Sequence, residues 1–137
     1  MSRFSDKDLR FLASRTGLTV RAVERLLGSA RVPKPGRAPV DATPSTSFYE
    51  IGFRFDALET YTAMHLAHGK EGTIGHLEQA LTELTRCCPA VVSWIGKGDY
   101  SPAHPPVEVS RAALLYACRS VGRIRAQVLR TCGVGRR

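Results

Sequence analysis

Residues 110–137 contain no acidic side chain, although seven arginines fall there. That absence rules out an acidic tail and points this end of the chain towards polyanions. Long hydrophobic runs are also missing. No stretch approaches the ~20 consecutive apolar residues that a membrane-spanning helix needs. The N-terminus opens SRFSDKDLR, with no apolar leader. The expectation is a cytoplasmic chain with no membrane partner. Cysteine is sparse: Cys87, Cys88, Cys118 and Cys132 include no C-x-x-C pair, so free thiols in a reducing compartment are expected. No G-x-S-x-G, no Cys-His motif and no paired carboxylates stand out. The Gly-Lys-Gly at 96–98 lacks the rest of a phosphate loop. His65, His68, His76, Cys87 and Cys88 lie close in sequence without the spacing of zinc ligands. His104, set among prolines, reads as a loop residue. Neither an enzyme, nor a metal site, nor a cofactor is expected.

What is present is ordinary globular composition with an uneven charge. Hydrophobic residues make up 43% of the 137, which argues against wholesale disorder. The formal net charge is +8. Residues 1–37 carry nine Lys/Arg against three acids, and residues 38–109 carry four against nine. A basic head, an acidic middle and a basic tail result. Two separate blocks of one sign favour a face that meets a polyanion over simple solubility.

The head reads as two short helices. Ser5 is placed to cap the first, with Asp6 and Asp8 in its opening turn. Leu9, Leu12 and Ala13 fall on one face, and Gly17 marks a turn. Thr19 caps a second helix whose apolar face is Val20, Val23, Leu26 and Leu27, ended by Gly28 and Ser29. Ala13 lies four residues before Gly17 and Val23 six after it. This spacing over residues 8–28 resembles the helix-turn-helix of bacterial and phage regulators. An ordinary helical hairpin shares the pattern. The resemblance implies that the second helix enters the major groove, with residues near its start touching base edges. Carried over, the contacts are Thr19, Val20, Arg21, Glu24 and Arg25. Arg21 or Arg25 would read guanine, and a threonine or valine methyl would meet a thymine methyl.

Residues 31–47 hold four prolines without periodicity and read as a linker. Its Arg31, Lys34 and Arg37 suit an extended arm on phosphates or in a minor groove. A solvated hinge is the alternative. In FYEIGFRFD, Tyr49, Ile51, Phe53 and Phe55 alternate with Glu50, Gly52, Arg54 and Asp56, which predicts a short β-strand. A helical reading through Phe48, Ile51, Phe55 and Leu58 competes, weakened by Gly52. Asp56 is expected to cap a helix, Gly69 and Gly72 to turn, and Thr73 to cap another helix through Cys88. One strand followed by two helices resembles, more weakly, a ribbon-helix-helix protomer over 48–88. A lone strand needs a partner, which suggests pairing between two copies, although VVSWIG offers another partner within the chain.

Ser110 is placed to cap a last helix. Leu114, Cys118, Val121, Ile124 and Val128 share one side of it, and Arg119, Arg123 and Arg130 the other. The arginine ridge suits phosphates, an acidic partner, or the acidic middle of the same chain. The chain is thus expected to be mainly α. A helix-turn-helix head (1–30) leads through a basic linker (31–47) to a helical dimerisation or interaction domain with one strand (48–133). The expected function is that of a sequence-specific DNA-binding repressor acting as a homodimer on double-stranded DNA. The alternative is a small phage- or plasmid-type protein that inhibits a protein or nucleoprotein partner.

Overall fold

A computed structural model describes residues 4–28, 48–69, 71–97 and 111–131. Among them are six helices and no strand: α1 (Asp6–Thr16), α2 (Val20–Leu26), α3 (Phe48–His68), α4 (Glu71–Cys87), α5 (Pro89–Lys97) and α6 (Arg111–Thr131). None is long and apolar enough to cross a membrane.

The first two helices start and stop where local chemistry dictates. Ser5 is extended, and its hydroxyl accepts from the Asp8 amide at 3.1 Å. Asp6 and Asp8 then sit against the positive end of α1. Gly17 adopts φ 79°, and its N–H donates to Ala13 O at 3.0 Å. Left-handed backbone of this kind favours glycine. The Thr19 hydroxyl accepts from the Ala22 amide at 3.0 Å, opening α2. Further on, Gly69 ends α3 at φ 65°, its N–H bonded to His65 O. Pro89 opens α5, where a missing N–H costs nothing.

The main departure from the sequence reading lies at 49–55, which is the start of α3 and not a strand. Period two and period 3.6 compete here, and tertiary burial decides between them. Ile51, Phe55 and Leu58 are fully buried, whereas Tyr49 is 82% and Phe53 63% exposed. A strand would have placed all four aromatic and aliphatic residues of 49–55 on one face. Gly52 is tolerated because it lies beneath the Tyr116 ring. The ribbon-helix-helix resemblance loses the strand on which it rested, and strand pairing between copies loses its basis. Asp56 is no cap but a mid-helix residue accepting the Tyr116 hydroxyl at 2.6 Å. Gly72 and Thr73 belong to the first turn of α4, not to a turn and a cap. VVSWIG lies within α5. The Ser110 cap and the 31–47 linker lie outside the described residues.

One core joins the helices. Leu12, Val23 and Leu26 from the head share it with Leu81, Leu84, Ile95, Leu114 and Ile124. Helix α3 packs along both α4 and α6, α1 packs on α4, and α2 packs on α5. The α3–α6 pair runs parallel: Gly52 lies under Tyr116, Ser120 Oγ donates to Phe55 O, and Arg123 reaches Glu59. Two very close approaches hold α2. An ideal Cβ on Gly96 would lie 2.8 Å from Ala22 Cβ, and one on Gly28 would lie 2.8 Å from Arg125 Cα.

Candidate nucleic-acid interface

Helix α2 is held by its inner face. Ala22, Val23 and Leu26 are buried, which turns Thr19, Val20 and Arg21 to solvent. The Thr19 hydroxyl oxygen already caps the helix. Glu24 and Arg25 are half-buried. Arg31, Lys34 and Arg37 lie outside the described residues.

The arginine ridge of α6 divides. Arg119 and Arg130 are exposed. Arg123 is engaged within the chain: its Nε donates to Glu59 Oε1 at 3.0 Å and Oε2 at 2.9 Å, and its guanidinium lies 5.7 Å from the Tyr116 ring centre. The bonded carboxylate pushes the Arg123 pKa further above its usual range. Part of this basic helix therefore answers to the acidic middle of the same chain.

The ridge and α2 do not share a face. Helix α6 meets the end of α2 at Ile124 and Arg125, while Arg123 turns to α3. Two residues in a helix differ by ~200° around the axis, so Arg123 and Arg125 lie on nearly opposite flanks. The backbone of Arg125, a half-buried residue, lies against Gly28 just past the end of α2. The sequence pattern overlooked it because, at i+4 from Val121 and i−3 from Val128, it is a charged residue at the phase of the apolar stripe. Only the packing of Gly28 reveals its place.

Negative charge in the head, including Glu24 of α2, collects at one cleft. Asp6, Asp8 and Glu24 are the only acids among residues 1–37. All three line one cleft of about 760 Å³, together with Phe4, Leu27, His65, His68 and Val128. His65 is 8% exposed, with Nδ1 2.7 Å from Thr73 Oγ1 and Nε2 3.6 Å from Asp8 Oδ2. The Phe4 ring stacks on it at 5.2 Å. Thr73 is buried as well, so the trio ties α1, α3 and α4 together and does not present a nucleophile. His76 stacks instead on Tyr61, and no three His, Cys, Asp or Glu side chains among the described residues converge on a metal position. Burial raises the pKa of Cys118 to about 12 and that of Cys88 still further, the neighbouring Cys87 adding to the latter.

No protein-family model matches the chain, and comparisons with curated proteins and with solved structures found no match.

Proposed function

We infer that the protein is a sequence-specific DNA-binding regulator of repressor type, acting as a homodimer. The observation that carries this reading is the segregation of charge around α2. Its inner face is locked into the core, its first turn presents Thr19, Val20 and Arg21 with no acid among them, and Asp6, Asp8 and the single α2 acid, Glu24, line the cleft. A short helix so anchored and so charged suits the major groove. Exposed Tyr49 and Phe53 on α3 support self-association, because aromatic side chains are enriched where two surfaces meet.

A gel shift of the pure protein on its own upstream DNA tests the reading. A discrete, salt-sensitive complex that resists competitor DNA is expected. Arg21→Ala removes the preference for that site over unrelated sequence. If Arg21→Ala leaves the preference intact, α2 is not the reading helix. Nonspecific smearing alone, with tight capture of one protein complex, favours the inhibitor reading.

A further inference from the structure

Gly96 lies in the last turn of α5, on backbone with no positive φ. Helix propensity alone favours alanine at such a position. The neighbouring helix accounts for the glycine. An ideal Cβ on Gly96 would lie 2.8 Å from Ala22 Cβ and 3.4 Å from Ala22 Cα. Carbon atoms in ordinary contact stand ~3.5–4.0 Å apart, and a Cβ has no torsion by which to turn away, so relief requires a helix to move by ~1 Å. Val91, Val92, Trp94 and Ile95 of α5 are all buried, whereas the seven residues of α2 keep one face in solvent, so α2 is the helix that gives way. Ala22 shares its turn with Val20 and Arg21, and its amide donates to the capping Thr19 hydroxyl at 3.0 Å. The gap between α5 and α2 therefore bears on the turn that presents Thr19, Val20 and Arg21. By contrast, a Cβ on Gly75 of α4 would meet nothing within 4 Å.

We propose that Gly96 of α5 is a positioning residue for DNA reading: its missing side chain lets Ala22 seat against α5 and so fixes how far Thr19, Val20 and Arg21 stand out from the core. The proposal rests on the DNA-binding reading above and deepens it. Two magnitudes separate reading from mere binding. An N–H···O hydrogen bond to a base edge holds over ~2.7–3.2 Å, so a shift of ~1 Å breaks it. The attraction of an exposed arginine to phosphate fades over a Debye length, ~8 Å at physiological salt, so the same shift hardly alters it. A displaced α2 keeps its general hold on DNA and loses its choice of sequence.

The test compares the affinities of full-length variants for the upstream DNA and for an unrelated duplex in one buffer, with circular dichroism as the check on folding. The ratio of the two affinities is the readout, because unfolded molecules lower both alike. Gly96→Ala is expected to reduce the ratio about tenfold, the loss of one base contact, while binding to the unrelated duplex stays at the wild-type level. Exchanging the methyl group between the helices, Ala22→Gly together with Gly96→Ala, leaves the new Cβ 3.4 Å from the Cα of residue 22 and is expected to restore the ratio. Gly75→Ala leaves the ratio unchanged. The proposal is overturned if Gly96→Ala keeps the wild-type ratio, if it weakens binding to both duplexes equally, or if the exchange variant folds without regaining the ratio. Should Gly96→Ala not fold, Ala22→Ser adds one atom from the other side of the contact and is read by the same outcomes. A wild-type protein with no preference for its upstream DNA removes the underlying reading and this proposal together. A preference that Arg21→Ala abolishes and Gly96→Ala spares removes this proposal alone.

Discussion

Gly28 and Gly52 are both buried glycines, yet a methyl group at each has opposite consequences. At Gly52 an added Cβ meets the Tyr116 ring at 3.6 Å, ordinary van der Waals contact, on backbone with no positive φ. Gly52→Ala is expected to stabilise the fold by about 0.5–1 kcal/mol, because the unfolded chain loses freedom. Thermal unfolding should rise by about 2–4 °C. Gly28→Ala meets backbone at 2.8 Å with φ 89° and is expected to cost about 2–4 kcal/mol. An unchanged melting temperature in Gly28→Ala would show that α2 and α6 are not in contact. The cysteines allow a second check. Burial keeps Cys88 and Cys118 protonated well above neutrality, and the thiolate is the reactive form. Mass-spectrometric mapping after iodoacetamide treatment at pH 8 should find both unmodified in the native protein and modified in denaturant.

Among the elements, α2 is the most dependent on others. It has seven residues, and α1 has eleven. Isolated helices of this length are marginal in water. Their support comes from α4, α5 and α6, so a peptide of residues 1–30 is expected to show little helical circular dichroism. A well-folded peptide would mean that the head stands alone. Substitutions at Thr19 separate its cap from the proposed base contact. Thr19→Ala should cost about 1 kcal/mol, whereas Thr19→Ser keeps the cap and loses only the methyl. If Thr19 also touches a thymine methyl, Thr19→Ser keeps its melting temperature and loses affinity for the preferred site.

At the scale of the whole molecule, the basic total conceals an internal balance. Glu59, Glu78 and Glu83 of the acidic middle hold Arg123, Arg15, Arg54 and Arg86. What remains for a polyanion is a narrower surface than +8 suggests. Tyr49 and Phe53 of α3 are exposed. If the proposed homodimer pairs through these rings, Phe53→Asp is expected to shift it from dimer to monomer in sedimentation velocity, without loss of helix content. An unaltered sedimentation coefficient would place self-association elsewhere.

The sequence by itself determined the local features. Ser5, Gly17 and Thr19 act through hydrogen bonds and dihedral angles within a few residues, so their places in α1 and α2 were legible in advance. The long apolar stripe of α6 was legible too, because burial at a period of 3.6 leaves a repeated mark. Tertiary structure alone decided the rest. Residues 49–55 satisfy two periods at once, and only packing of Ile51 and Phe55 against α4 and α6 selects the helix. Gly72 and Thr73 look like a turn and a cap until Thr73 is drawn to His65. The approach of Arg125 to Gly28 is a backbone contact between residues 97 positions apart in the chain. No local pattern encodes such a contact, because its cause is the absence of a side chain at Gly28 and the shape of the helix laid against it.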